Sequence, residues 1–262
     1  MVTFGMPTLV EIATVKETAK LCGELGLSFL ELNTNFPLHQ PHLLCKKELL
    51  QLSDDYGVGY TIHLNDEMAV AEFNPAVAAG YRQAMLETIA FAKELGIKKL
   101  NMHLSDGAKY TMPDRIVYFY EAYQEEYLKQ TQVFRDLCSD AIEDSGIQIC
   151  IENCGGYRPY QMEALKCLLE SPVFGLTLDI GHNYCAGGVD EPFILEHKDR
   201  LHHMHMHDAK DGKKDHLALG CGEIDVAKYI NLADSCDCTV VLETKTIAGL
   251  RESVDWIKTH VR

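Results

Sequence analysis

Four acidic or imidazole side chains stand where short apolar runs stop: Glu152 after IQICI, Asp179 after FGLTL, His205 within HHMHMHD and Glu243 after TVVL. Two more histidines stop similar runs, His63 after GYTI and His103 after KLNM, and Glu31 follows SFL. Gathered in one place, such groups repel one another or stay unsatisfied, and a divalent cation is the usual remedy. Carboxylates mixed with imidazole suit zinc, manganese or iron better than calcium, and carboxylate-rich sites lean toward manganese or magnesium. The expected cofactor is therefore Mn2+ or Zn2+ on Glu152, Asp179, His205 and Glu243. A second ion would draw in His63 and His103, with Glu152 as the bridge. His182, three residues after Asp179 in LDIGH, and His216, in DHLALGCGEID, are further candidates as ligands or substrate contacts. A cation held this way suits proton transfer next to a carbonyl: it stabilises an enediolate while a carboxylate removes the C–H proton.

Such a set converges only if the strands that carry it end on one rim. The chain alternates short β-rich runs with stretches of helical spacing, and glycines stand where helices should close, as Gly26 does after TVKETAKLCGEL and Gly146 does further on. Eight strand–helix pairs fit into 262 residues, about 33 per pair, which is the allotment of a (β/α)8 TIM barrel. The expected fold is α/β, one barrel domain over residues 1–262, with the C-terminal strand ends facing the mouth. The GxGxxG fingerprint of a dinucleotide-binding doubly wound sheet is absent after the first strand. A Tyr-rich segment over residues 113–145 is predicted as helical, with Tyr118, Tyr120, Tyr123 and Tyr127 along one packed face.

At these residues the sequence resembles the xylose isomerase-like barrel superfamily, which includes sugar isomerases and epimerases and the endonuclease IV group. The resemblance is carried by IHLN at His63, NMHLSDG at His103, IEN at Glu152, LDIGH at Asp179 and His182, HMHD at His205, HLALGCGEID from His216, and LET at Glu243. It implies that Glu152, Asp179, His205 and Glu243 are the metal ligands of an isomerase or epimerase of a small sugar or sugar phosphate. Glu152 and Glu243 would then also be the acid/base pair, with His63, His103 and His182 near the substrate. The endonuclease branch adds His63, His103, His182 and His216 as ligands, together with an aspartate two residues before the last. Lys214 stands there instead, which speaks against a third metal.

The charge balance agrees. Lys and Arg number 24 against 39 Asp and Glu, a formal −15, and a duplex-binding protein needs a basic groove. Nucleic acid is thus the less favoured partner, leaving abasic-site endonuclease as one alternative and a non-catalytic sugar-binding barrel as another. Lys210, Lys213 and Lys214 form the basic cluster nearest the expected rim. They read as a hydrated loop, with Lys214 the candidate clamp for an anionic substrate. Gly155 and Gly156 would let the loop after Glu152 approach a substrate closely. Ten cysteines without paired CxxC units, and a start MVTFGMPTLVEIAT with no export signal, predict reduced thiols in a cytoplasmic protein. No run approaches the length of a membrane span, and a homo-oligomer is compatible with the Tyr-rich segment.

Overall fold

The computed structural model describes residues 2–261. Eight parallel strands close into one barrel: β1 (Thr3–Pro7), β2 (Phe29–Asn33), β3 (Gly59–His63), β4 (Lys99–His103), β5 (Gln148–Glu152), β6 (Phe174–Asp179), β7 (Leu201–Met206) and β8 (Thr239–Leu242). Each strand pairs with its sequence neighbours, and β8 returns to β1 through Thr3↔Thr239 and Phe4↔Val240. One main helix follows each strand: Val15–Leu25, Lys46–Tyr56, Pro75–Leu95, Gln124–Ile142, Pro159–Leu169, Glu191–Glu196, Val226–Ser235 and Ile247–His260.

Local chemistry explains the boundaries. The Val15–Leu25 helix starts at Thr14, whose hydroxyl accepts from the Glu17 N–H at 3.2 Å, and ends at Gly26 with φ +74°, a left-handed conformation that costs a glycine little. Its buried face is Thr18, Ala19, Leu21, Cys22 and Leu25. Along the strands the period of two separates two environments. Leu30 and Leu32, Leu176 and Leu178, and Met204 and Met206 are fully buried in the main hydrophobic core. Each such side chain contributes roughly 1.5–3 kcal/mol by leaving water. The alternate residues Glu31, Thr61, Asn101, Thr177, His203 and His205 are polar, equally buried, and meet one another across the barrel interior.

The predicted helix over residues 113–145 needs correction. Residues 109–118 instead form an antiparallel hairpin, Lys109–Thr111 against Ile116–Tyr118, with the Met112 N–H on the Arg115 carbonyl at 2.8 Å closing the turn. Pro113 and Asp114 are turn residues, and the flanking KYT and IVY are rich in β-branched and aromatic residues, so strand preference wins locally. The helix proper ends at Ile142. Glu143 occupies the position after it, and Gly146 takes a positive φ in the following turn. Tyr120, Tyr127 and Tyr160 do pack together, the first two stacked at 4.3 Å, whereas Tyr123 is 59% exposed. All ten cysteines are free thiols. Among the described residues, no helix is long and apolar enough to cross a membrane.

A second hairpin, Asp208–Lys210 against Lys214–Leu217, comes after β7. The Asp208 carboxylate anchors the segment beyond it. Oδ1 accepts from Ala209 and Ile224 N–H at 2.9 and 3.1 Å, and Oδ2 accepts from Gly220 and Gly222 N–H at 2.9 and 2.8 Å. Residues 220–224 are thereby held against the rim by main-chain amides.

Candidate metal centre

Asp179 and His205 stand opposite each other in the β6–β7 register, Glu152 ends β5, and Glu243 comes directly after β8. Their side chains converge: one donor atom from each lies within 4.8 Å of the others, and all four residues are buried. His205 Nδ1 is 3.1 Å from Glu243 Oε2 and 3.3 Å from Glu152 Oε1. Yet neither His205 Nδ1 nor Glu243 Oε2 makes a hydrogen bond, nor does the buried Nδ1 of His182, which sits 3.5 Å from Asp179 Oδ2 and 3.6 Å from Glu152 Oε1. Unpartnered donors and acceptors that converge this closely from separate strands leave a shared point for a ligand. Three carboxylates and an imidazole around that point fit a divalent cation.

Electrostatics tightens the set. Burial alone would raise the Glu152 carboxyl, but the His205 and His103 rings hold it well below the usual carboxylate range. Glu243 is likewise opposed by burial and held low, first by His205 and then by Lys245. Burial would lower His205, and the surrounding Glu152, Glu31 and Glu243 push it well above an ordinary histidine.

The other predicted residues fall in three places. His63 and His103 reach the far oxygen of Glu152: their Nε2 atoms are 3.4 and 3.1 Å from Oε2, while Oε1 faces His205. His63 also places Nδ1 2.8 Å from the Leu64 carbonyl, and Glu152 overrides its burial to raise it to about 9. His182 joins the cluster directly, lifted to about 9 by Asp179 and Glu152 against its own burial. His216 borders it, with Nδ1 3.1 Å from the Glu243 carbonyl. Lys214 stands apart: its ammonium pairs with Asp211 at 3.2 Å, it is largely exposed, and it is not among the residues that line the neighbouring cleft.

Several contributors escaped the sequence reading. Lys245 holds Glu243 Oε1 at 2.7 Å from the loop after β8, where no strand period marks it. Asn101 donates to Glu152 Oε2, and Asn153 brackets Asp179 by donating to its carbonyl and accepting its N–H at 3.0 and 2.8 Å. His207 donates Nε2–H to Asp179 at 3.1 Å and accepts the His216 N–H on Nδ1 at 2.7 Å. With both ring nitrogens engaged it orients Asp179 and offers no lone pair. It fits only because Gly181 lacks a side chain, since a Cβ there would fall 1.9 Å from its ring. Glu31 lies below the rim: β2 runs two residues further to Asn33, which pairs with His63, while Glu31 pairs with Thr61.

A cleft of about 480 Å3 opens beside Glu152 and His103, lined also by Asp66, Asp106, Gly155 and Arg158. Gly155 and Gly156 have positive φ, and Asp190 pins that loop by accepting from the Gly156 and Tyr157 N–H at 3.1 and 2.7 Å. Arg158 forks onto Asp106 at 3.2 and 3.3 Å and lies 3.8 Å over the Tyr118 ring, giving the cleft a fixed polar wall.

A closed barrel with carboxylates and imidazoles on its C-terminal rim has its polar groups where TIM barrels carry their active sites. The profile of the xylose isomerase-like TIM barrel matches residues 19–260, and the chain belongs to that family. Among solved structures it is similar to a D-tagatose 3-epimerase-like protein, with TM-score 0.79 and 23% identity over 98% of this chain and 96% of the other. It is similar to the IOLI protein crystallised with a zinc atom, with TM-score 0.75 and 17% identity over 98% and 96%. It is also similar to an AP endonuclease, family 2, of Brucella melitensis, with TM-score 0.73 and 14% identity over 99% of each chain. At these identities the likeness carries the fold.

Proposed function

We propose that this chain is a metal-dependent isomerase or epimerase of a small sugar or sugar phosphate. The observation that carries the reading is the placement of the Glu152 and Glu243 carboxylates on either side of His205 Nδ1, at 3.3 and 3.1 Å, beside an open cleft. Glu152, Asp179, His205 and Glu243 would hold Mn2+ or Zn2+, which when bound supplies electrophilic polarisation of a carbonyl and its neighbouring hydroxyl. The epimerase-like and zinc-holding relatives in fold support the class and the ion.

The chain's own groups then divide the work. One carboxylate takes the proton from the carbon next to the carbonyl, and the other returns one from the opposite face, which inverts that centre. Return to the adjacent carbon from one face gives isomerisation instead. Asn101, His63 and His103 fix Glu152 through Oε2, and Lys245 fixes Glu243 through Oε1, so each keeps one oxygen directed inward. The polar wall of Asp106 and Arg158 suits hydroxyl recognition. The formal −15 charge and the Asp211-paired Lys214 favour this substrate class over a nucleic acid.

The test is solvent deuterium entry into a panel of ketoses, aldoses and their phosphates, with Mn2+ or Zn2+ restored to chelated protein. Metal-dependent exchange that disappears in Glu152→Gln is expected. Nicking of an abasic duplex that needs the metal and Glu152 would sink the proposal in favour of a phosphodiesterase. Sugar binding with no exchange under either ion would leave a binding barrel.

A further inference from the structure

Below the rim, a second cluster of buried titratable groups spans the barrel. Glu31 on β2 is 2% exposed, and His203 and His205 on β7 are fully buried. The Glu31 Oε2 accepts from Thr61 Oγ1 at 3.0 Å and from His203 Nε2 at 3.1 Å. Its Oε1 lies 3.0 Å from Nε2 of His205, close enough for charge attraction though outside hydrogen-bond geometry. His203 closes the row through Nδ1, 2.6 Å from Thr239 Oγ1.

Glu31, His203 and His205 are close enough to suggest a second ion site, but the hydrogen bonds decide otherwise. Both ring nitrogens of His203 are in use, one on Thr239 and one on Glu31, so no lone pair is left for a cation. Glu31 therefore acts on its neighbours as an anion. A bare lone pair on Nε2 of His205 would face that carboxylate at 3.0 Å, whereas a proton there is attracted to it. Placing the proton on Nε2 makes Nδ1 the free nitrogen, and Nδ1 is the atom directed at Glu152 and Glu243. An imidazole ligates a cation through the nitrogen that lacks the proton, and a carboxylate behind the ring also raises its basicity.

We propose that Glu31 is a positioning residue that fixes His205 with its proton on Nε2 and so presents Nδ1 to a cation held with Glu152, Asp179 and Glu243. The inference rests on the metal reading of the rim given above. Burial makes the arrangement costly: a carboxylate set between two imidazoles and a hydroxyl, away from water, is hard to justify by packing.

Two measurements test it. The affinities of wild type and Glu31→Gln for Zn2+ and Mn2+ are compared by competition with a chromogenic chelator. The glutamine side chain offers an acceptor to only one of the two rings and carries no charge, so the variant is expected to bind on the order of 10- to 100-fold more weakly. Undiminished affinity in Glu31→Gln beside a metal-binding wild type overturns the positioning role alone. Failure of the wild type to bind either ion overturns the reading of the rim and this role with it. The second measurement needs no variant fold: long-range 1H–15N correlation on 15N-histidine, Zn2+-loaded wild type, with the His205 signals assigned. A proton on Nε2 and a metal-shifted Nδ1 are expected, and the reverse tautomer overturns the proposal.

Discussion

Two layers of polar side chains fill the barrel, and they are finished differently. In the lower one, Thr61, Thr177 and His203 each engage their hydrogen-bonding groups with a neighbour: Thr61 with Glu31, Thr177 with Asn101 at 2.6 Å, His203 with Glu31 and Thr239. One layer up, both ring nitrogens of His205, Nδ1 of His182 and Oε2 of Glu243 are as deeply buried and make no hydrogen bond. Burial of polar atoms is costly in both layers. Where the atoms are saturated they contribute order, and where they are open they are kept for something that binds. The contrast separates scaffold from site without reference to any substrate.

The largest effect should come from the open layer. Glu243→Gln is expected to lower the deuterium-exchange rate by about 10²- to 10⁴-fold, the usual share of one acid or base. The melting point of its metal-free form should fall only modestly, because the inward-facing Oε2 has no hydrogen bond to lose and the glutamine oxygen can still accept from Lys245 in place of Oε1. A large loss of stability together with retained exchange would erase the distinction between the layers. In the saturated layer the order reverses. Thr177→Val strands the Asn101 acceptor inside the barrel and should cost roughly 1–3 kcal/mol in urea denaturation. A smaller contribution comes from outside both layers, at His202 on β7, which burial and then Lys99 and Arg200 push down to about 4. The unfolded chain takes up that proton near 6.5 and the folded one resists until about 4. The stability it contributes is therefore full above about pH 6.5 and is lost as the pH falls toward 4. Denaturation midpoints across this window should fall less steeply in His202→Gln than in wild type. Smallest of all, Lys214→Ala should leave stability within about 0.5 kcal/mol, as exposed pairs generally do. A large rise in KM for a sugar phosphate in that variant would restore its role as an anion clamp.

The layers also differ in how far they can be read from residues alone. Strand ends were legible because an apolar run that stops on an acid or histidine changes hydropathy abruptly, as at Glu152, Asp179 and Glu243. Helix ends were legible at Gly26, where backbone geometry demands a residue type, and misplaced at Gly146, which serves the turn after the helix. Glu31 shows the limit. It looks like a strand stop after SFL, yet the pairing register of β2 against β3 sets its height, and register depends on two strands at once. The hairpin over residues 109–118 was hidden for a related reason, since three-residue strands carry too short a period to outweigh the helical spacing of residues 124–142 beside them. Lys245 and His207 matter through contacts with Glu243 and Asp179 that only closure of the barrel creates.

The four amides on Asp208 bear on how this rim can change over time. A strap held by its main chain is largely indifferent to the side chains it carries, so a position such as Cys221 is free to drift while the path of the segment stays put. Gly220 and Gly222 are the exceptions, because a methyl group at Gly222 would fall 2.3 Å from the Ala209 carbonyl and from Asp208 itself, and one at Gly220, where φ is +82°, would fall 2.5 Å from the Trp256 ring. Variation among descendants of this chain should therefore skip Asp208, Gly220 and Gly222 together, and new substrate contacts can be written into the other positions of the strap without refolding the barrel beneath.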